Sequence, residues 1–105
     1  MQARTHPSVS ELRTLLRPFC QRHRIRRLDV FGSVAQGSAT DASDIDLLVT
    51  VDPTVSTSEL LEMAGEVEEL IGNRVDFVLR RSLENSSNEI ARSEILSSAV
   101  CVYGC

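Results

Sequence analysis

A Gly-Ser pair followed, ten residues later, by two closely spaced aspartates constrains the fold of this chain more than any other feature. Gly32 and Ser33 end one short apolar run, and Asp44 and Asp46 open another. If the second run is a β-strand, its period of two places both carboxylates on the same face. The segment therefore predicts two strands separated by a tight turn and a polar loop, with an acidic pair at the start of the second strand.

These residue types suit a site that handles phosphate and metal. Two carboxylates side by side repel each other, and a hard cation such as Mg²⁺ between them removes that repulsion. The glycine lets the backbone approach a ligand closely, and the N–H groups at the start of a short helix would face anions. We therefore predict that Asp44 and Asp46 are catalytic metal ligands and that Gly32 and Ser33 bind the phosphates of a nucleotide.

Each half of the motif also has a plainer interpretation. Gly-Ser is common in turns, and an Asp-x-Asp pair can be two solvated loop acids or part of a calcium loop. The calcium interpretation is weak because no glycine and closing glutamate follow at the spacing of an EF-hand. Both halves together, in this order between two apolar runs, favour phosphoryl or nucleotidyl transfer.

A third acid, Asp76, lies inside an apolar segment of alternating character. An acid in such a strand is costly unless something pairs with it. One interpretation is a salt bridge, to Arg74 or Arg80. The other, which we favour, is that Asp76 faces Asp44 and Asp46 from a neighbouring strand and completes a three-carboxylate metal site.

The Gly-Ser pair, the spacing of ten residues and the Asp-Ile-Asp triplet resemble the signature of the DNA polymerase β-type nucleotidyltransferase superfamily. The fuller segment resembles its minimal nucleotidyltransferases (MNT proteins), the antitoxin partners of HEPN-domain ribonuclease toxins. The resemblance implies that Asp44, Asp46 and Asp76 bind two Mg²⁺ ions and that Gly32 and Ser33 hold the phosphates of ATP. It also implies transfer of AMP to a hydroxyl, expected to be a tyrosine, of a cognate HEPN toxin in a hetero-oligomer.

One departure from the family pattern keeps other functions open. Members often carry an arginine between the Gly-Ser pair and the next glycine, whereas this chain has Val34, Ala35 and Gln36 before Gly37. A second hypothesis is therefore a binding antitoxin that neutralises its partner by occlusion. A third is nucleotidyl transfer to a small molecule such as an antibiotic, which the absence of a predicted substrate domain disfavours.

Composition narrows the alternatives. The 105 residues suffice for one small domain, residues 1–105, and contain no lysine. A Walker A loop and a Schiff-base enzyme, which need a lysine amine, are therefore excluded. No apolar run could span a bilayer or follow a signal-peptide start, so we expect a cytoplasmic protein with no membrane partner. Three cysteines without Cys-x-x-Cys spacing predict neither a disulfide framework nor a zinc site, and Cys20 is expected in the core.

Charge is distributed unevenly along the chain. Residues 1–27 carry seven arginines and one acid, whereas the remainder carries four arginines and 14 acids, for a net charge of −4. The densest basic cluster consists of Arg22, Arg24, Arg26 and Arg27. It could meet RNA, a nucleotide or an acidic partner surface, or it could be a solvated face, as most arginine clusters are. No aromatic residues interleave with it, so stacking on single-stranded nucleic acid is not supported. Direct nucleic-acid binding is thus left open.

Hydrophobic periodicity and turn residues predict an α/β (α+β) fold, a small mixed β-sheet with flanking helices. Three helices are predicted from capping boxes, at Ser8 and Glu11, Ser56 and Glu59, and Ser86 and Glu89. Pro18 is expected to kink or shorten the first helix, and Gly72 to end the second. Strands are predicted over residues 28–31, 44–51, 74–79 and 99–103, with a short helical piece before Gly37 and a polar loop over 38–43.

Overall fold

Four strands form one mixed sheet in the computed structural model, which describes residues 7–38 and 44–105. The strand order is β3-β2-β1-β4, with β1 antiparallel to both β2 and β4 and with β2 parallel to β3. The elements are α1 (Val9–Arg22), β1 (Ile25–Phe31), α2 (Gly32–Gln36), β2 (Ile45–Val51), α3 (Thr57–Ile71), β3 (Val75–Leu79), α4 (Arg80–Glu84), α5 (Glu89–Ser98) and β4 (Val100–Tyr103). The predicted fold class is confirmed; most of the predicted polar loop lies outside the described residues.

The first helix begins as predicted but does not end at its proline. Ser8 and Glu11 form both hydrogen bonds of the capping box, at 2.8 and 3.1 Å. Helix α1 then continues through Pro18 to Arg22, so the expectation of a shortened helix is wrong. Pro18 removes one backbone hydrogen bond. The continued helix buries Phe19 and Cys20 completely, and this burial offsets the loss.

The last helix starts later than predicted. Asn88 is its N-cap residue and accepts a hydrogen bond from the Ala91 N–H at 3.1 Å. Ser86, the predicted cap, instead accepts from the Asn88 N–H at 3.2 Å in the turn before the helix. Both residue types cap helices well, so the local pattern could not decide between them. Ser56 caps α3 as predicted, and Gly72 ends that helix in the left-handed conformation.

The two faces of the sheet are covered unequally. Helices α1 and α3 bury one face in a large core, which includes Leu12, Leu16, Leu28, Val30, Leu47, Val49, Met63 and Val67. The other face carries a small cluster of Phe31, Leu48 and Leu83, against which Val78, Ile95 and Ala99 pack. Helix α5, which lies on this second face, has no buried residue. The second face is therefore the thinly covered one.

A buried carboxylate crosses the strands on the second face. Asp29 in β1 is fully buried and accepts two hydrogen bonds from Arg27, at 2.9 and 3.0 Å. It also accepts a bond at 3.2 Å from Arg80, which follows β3. The Arg80 Nε donates in turn to the Thr50 hydroxyl of β2 at 3.1 Å. This cluster, which we call the Asp29 cluster, links β1, β2 and the end of β3.

The cysteines depart from the sequence expectation in one respect. Cys101 and Cys105 form a disulfide, although the cysteine pattern predicted none. The turn between them needs Gly104, whose φ is +77° and which packs against the Arg26 carbonyl where a Cβ would collide. Cys20 is buried as expected, and burial raises the pKa of its thiol to about 12. None of the helices within residues 7–38 and 44–105 is long and apolar enough to cross a membrane.

We expect Asp29→Asn to lower the free energy of unfolding by about 3 kcal/mol, because it leaves two arginines without their carboxylate partner. Asp52→Asn is the matched control, since Asp52 pairs with Arg26 at 3.3 Å on the surface. Urea unfolding of both variants should show a much smaller loss for the control. Equal losses would contradict a special role of the buried cluster.

Candidate active site

The parallel pairing of β2 and β3 places two of the predicted carboxylates side by side. Asp46 stands opposite Asp76 in the register, so both side chains project from the same, thinly covered face. Asp44 immediately precedes β2 and is exposed. Phe31 faces Asp46 from the other side, at the end of β1. Asp44, Asp46 and Asp76, which we call the acidic row, thus lie close to the point where β1 turns into α2, beside the Gly-Ser pair.

The pKa of Asp46 is affected by the two neighbouring acids. Its pKa is raised above the ordinary aspartate value, chiefly by burial and further by the negative charges of Asp76 and Asp44. Burial and like charges both disfavour the ionised carboxylate. A cation placed between the acids would offset the repulsion between their negative charges. These carboxylate oxygens therefore suit a hard divalent ion.

The ion pairs predicted as the alternative for Asp76 are not formed. Arg80 pairs with Asp29, at 3.2 Å, and Arg74 approaches Asp44, at 3.9 Å. Asp76 itself has no ion pair among residues 7–38 and 44–105. It is exposed at the end of the row and available to a ligand.

The carboxylates are neighbours but do not converge on one point. Within the described ranges, no set of three or more His, Cys, Asp or Glu side chains is arranged to hold a metal ion as it stands. Like charges disfavour close approach of such side chains, and the Nε atom of Arg74 lies 3.9 Å from the Asp44 carboxylate. Asp46 and Asp76 lie at adjacent backbone positions, and their carboxylate oxygens are donors that suit Mg²⁺.

Gly32 joins the two halves of the motif by direct contact. Its φ is +72°, and a Cβ on it would collide with the Oδ2 atom of Asp46. Glycine therefore suits the left-handed turn out of β1, and any side chain at this position would have to displace the Asp46 carboxylate. The sequence predicted a close approach to a ligand at Gly32, and within the protein the group that approaches is Asp46.

Helix α2 begins at the Gly-Ser pair. It contains five residues, and Gly37 ends it in the left-handed conformation. Ser33 is half-buried in the first turn, where backbone N–H groups have no helical acceptor. The Gly32 N–H donates to the Ser98 hydroxyl of α5 at 3.4 Å. The Gly-Ser turn is thus held against β2 on one side and α5 on the other.

The basic cluster around His23 is paired with acids. Arg22 and His23 contact Glu66, and Arg24 contacts Glu59 at 3.1 Å, so three of these side chains connect to α3. Burial, and then the charge of Arg22, lowers the pKa of His23. Arg26 and Arg27 pair with Asp52 and Asp29, at 3.3 and 2.9 Å. These contacts agree with the interpretation as a solvated, ion-paired face.

Sequence reasoning missed the Asp29 cluster, although a signal for it existed. Asp29 lies inside the apolar run that ends at Phe31, as Asp76 lies inside its own strand. The same argument about a costly acid applies to both. What separates them is that Asp29 is fully buried with two arginines, whereas Asp76 is exposed and unpaired among the residues described.

We expect Gly32→Ala to lower activity by about 100-fold, because its methyl group would displace the Asp46 carboxylate. Gly37→Ala is the matched control: its φ is +74°, and no described atom lies within 4 Å of the added Cβ. Both variants cost about 1 kcal/mol of stability through left-handed strain. Transfer rates and urea unfolding, measured together, separate the two effects; equal loss of activity in both would contradict the contact argument.

We also expect Asp46→Asn to raise the melting temperature of the metal-free protein at pH 7. Because the pKa of Asp46 is raised on folding, its ionised form opposes folding at neutral pH, and the gain should vanish as the pH falls below the ordinary aspartate pKa. Asp52→Asn should act in the opposite direction, since hydrogen bonds from Thr54 lower the pKa of Asp52. A loss of stability in Asp46→Asn at pH 7 would show that this carboxylate has a structural role.

Comparison with known proteins agrees with this geometry. The nucleotidyltransferase domain family matches residues 12–99. The protein adenylyltransferase MntA of Thermococcus cleftensis is 33% identical, covering 72% of this chain and 77% of its own. A solved candidate minimal nucleotidyltransferase superimposes with a TM-score of 0.71 at 31% identity, covering 92% of this chain and 98% of its own.

A structure of a tri-AMPylated HEPN toxin of Shewanella oneidensis in complex with MNT antitoxin shares the fold. It matches with a TM-score of 0.62 at 17% identity, over 89% of this chain and 70% of the other. The family match over most of the chain, together with the whole-length structural match, identifies the fold and the enzyme class. The chain belongs to the nucleotidyltransferase domain family and is a nucleotidyltransferase of the minimal, MNT type.

Proposed function

We propose that this nucleotidyltransferase is an antitoxin that transfers AMP from ATP to a hydroxyl, expected to be a tyrosine, of a cognate HEPN ribonuclease toxin and thereby neutralises it. The observation that carries the proposal is the contact between Gly32 and Asp46, beside Asp76 on the next strand. This contact supports the proposal because it brings the Gly-Ser turn, which would bind phosphate, next to an acidic pair. Relatives named as protein adenylyltransferases and a neighbour complexed with a HEPN toxin support the choice of acceptor.

In this reaction the acceptor oxygen forms a bond to the α-phosphorus of ATP. The bond from that phosphorus to the pyrophosphate oxygen breaks, and the hydroxyl proton leaves for water or a neighbouring carboxylate. Asp44, Asp46 and Asp76 would hold two Mg²⁺ ions, which lower the pKa of the acceptor hydroxyl and offset charge on the departing pyrophosphate. Gly32 and Ser33 would bind the phosphates through backbone N–H groups.

We place this activity in the cytoplasm, where ATP and a toxin that cleaves RNA would meet. Cellular thiol systems keep most cysteines reduced there. The bond between Cys101 and Cys105 is then expected to be open for much of the time in the cell. Neither cysteine belongs to the acidic row or the Gly-Ser turn, so the proposed chemistry does not depend on that bond.

Incubation of the chain with Mg²⁺, ATP and the product of its neighbouring toxin gene should raise the toxin mass by about 329 Da per AMP group. Substoichiometric antitoxin should suffice, and the toxin should stay inactive after separation. Asp44→Ala and Asp46→Ala should abolish the mass change without unfolding the chain, since each removes one of several repelling carboxylates.

An unmodified toxin would favour occlusion over catalysis. In that case inhibition would require one antitoxin for each toxin, would end when the complex dissociates and would persist in Asp46→Ala. Transfer to an added small-molecule hydroxyl, with none to the toxin, would instead support the antibiotic-type function. Intact-mass spectrometry of both partners distinguishes the three results.

Mg²⁺ and ATP together should raise the melting temperature, because a ligand that binds only the folded state stabilises it by mass action. Asp76→Asn should reduce that increase more than it alters the melting temperature without ligand, since Asp76 is exposed and has no ion pair among the described residues. Differential scanning fluorimetry with Mg²⁺, ATP or both checks this. An increase that Asp76→Asn leaves unchanged would remove Asp76 from the metal site.

A further inference from the structure

Strand β3, which carries Asp76, is an edge strand of the sheet. The strand order β3-β2-β1-β4 gives β3 no strand neighbour on its outer side among residues 7–38 and 44–105. The Ile45 N–H donates to the Arg74 carbonyl at 3.0 Å, and Ile45 stands opposite Val75 in the register. In a parallel ladder the direction of the backbone groups alternates along the strand. The even-numbered residues of β3 therefore pair with β2, and the backbone groups of the odd-numbered residues point outward.

Most of the outward backbone groups of β3 are unpaired. The Val75 N–H is used, because it donates to the Glu68 carboxylate at 3.0 Å. The carbonyl of Leu79 is also used, since Leu79 is the N-cap of α4 and accepts the first helical hydrogen bond. The Val75 C=O, both backbone groups of Phe77 and the Leu79 N–H have no partner in the part of the chain that the structure describes. These groups alternate as one further strand requires.

The opposite edge of the sheet, β4, is protected from pairing. This strand has four residues, and the Arg13 guanidinium donates to the Cys101 carbonyl at 3.1 and 3.4 Å. The turn at Gly104 then packs against the carbonyl of Arg26. Short edge strands, charged side chains and covering loops are common ways to prevent a sheet from pairing with another chain. On the outer side of β3, only the Glu68 carboxylate reaches a backbone group among the described residues.

A strand added to β3 would bring side chains to the face that carries the acids. Asp76 and Asp46 project from this face, and a residue opposite Asp76 on an added strand projects from it too. Neighbouring strands are about 4.8 Å apart, so the backbone of that residue would lie about 10 Å from the backbone of Asp46. A long side chain is needed to cross this distance. The geometry therefore favours a tyrosine hydroxyl over the hydroxyl of serine or threonine.

We propose that the outer edge of β3 is the docking site of the acceptor protein, which adds an extended segment as a fifth strand with its acceptor tyrosine opposite Asp76. The inference rests on the proposed function, because it takes a protein hydroxyl as the acceptor. Backbone hydrogen bonds give such a complex its affinity, and side chains at alternate positions give it specificity. The Glu68 carboxylate at one end and the start of α4 at the other confine the segment to Val75–Leu79.

Leu79→Pro and Leu79→Ala distinguish the edge from the core. Leu79 has φ −81° and ψ 124°, close to the values that proline prefers, and its N–H has no partner among the described residues. Both variants remove a half-buried side chain that packs against the core, but only proline removes the outward donor. With the product of the neighbouring toxin gene as acceptor, Leu79→Pro should raise KM about tenfold more than Leu79→Ala, because one hydrogen bond is lost and a carbonyl of the toxin is left unpaired. The increase in melting temperature with Mg²⁺ and ATP should be equal in the two variants.

Hydrogen exchange tests the edge in the wild-type chain, without any substitution. In the free chain the amides of Phe77 and Leu79 should exchange quickly, whereas those of Asp76 and Val78, which pair with β2, should be protected. Saturating toxin, added without ATP, should slow exchange at Phe77 and Leu79 about tenfold, because hydrogen-bonded amides exchange only after opening. Residue-resolved NMR measures this. Slow exchange at Phe77 and Leu79 that rises with the concentration of the chain alone would assign the edge to a second copy and overturn the proposal.

The docking site and the proposed function fail in different ways. If the wild type leaves the toxin mass unchanged with Mg²⁺ and ATP, the transfer function fails and the docking site fails with it. If the toxin gains AMP but Leu79→Pro and Leu79→Ala have equal KM values, the transferase function stands and the acceptor docks elsewhere. The same conclusion follows if the toxin leaves exchange at Phe77 and Leu79 unchanged.

Discussion

The buried carboxylate of Asp29 fixes the relation between the three strands on which the candidate site depends. It accepts hydrogen bonds from Arg27 on its own strand and from Arg80 beyond β3, while Arg80 also holds Thr50 of β2. A buried ion pair of this kind adds little net stability compared with apolar packing, but loss of one partner is costly. Its contribution is therefore to specificity, because only one arrangement of the strands satisfies every donor in the cluster.

This arrangement of the strands brings the acidic residues together. With β1, β2 and β3 fixed in register, Asp46 must stand opposite Asp76, and Gly32 must lie against Asp46. Burial and, after it, the charges of Asp76 and Asp44 raise the pKa of Asp46, and ionised Asp46 is therefore a cost carried by the fold in the absence of a cation. Functional sites commonly keep such local conflicts, which the surrounding structure has to stabilise.

Local sequence signals were sufficient for the elements of the site but not for its assembly. The Gly-Ser turn, the acidic pair and the alternation around Asp76 each follow from short-range patterns. The structure has a strand at each of the three places, β1 ending before Gly32, β2 beginning just after Asp44, and β3 containing Asp76. The register of β2 against β3 depends on residues far apart in the chain, so no local pattern specifies it. The same reason hid the Asp29 cluster, because its partner Arg80 comes from the start of α4, far from β1 in the chain.

The features that the sequence predicted wrongly, the ends of α1 and β1 and the state of two cysteines, have a related cause. Helix α1 passes through Pro18 because the residues after it are needed in the core, which is a tertiary effect that overrides local propensity. Strand β1 begins at Ile25 rather than at Leu28, since Arg26 and Arg27 find acidic partners beside the strand. The disulfide between Cys101 and Cys105 depends on the turn that Gly104 makes against Arg26, which cysteine spacing alone does not reveal.

The unequal covering of the sheet explains how a small chain can keep repelling carboxylates together. On the face opposite the acids, Leu47 and Val49 of β2 are completely buried under α1 and α3. Movement of β2 to relieve the repulsion would open this core, at a cost of the order of 1 kcal/mol for each buried methylene exposed. The acids can therefore relax only by rotating their side chains or by binding a cation. Because β2 is held by this core, a divalent ion between the carboxylates would be an effective way to offset their repulsion.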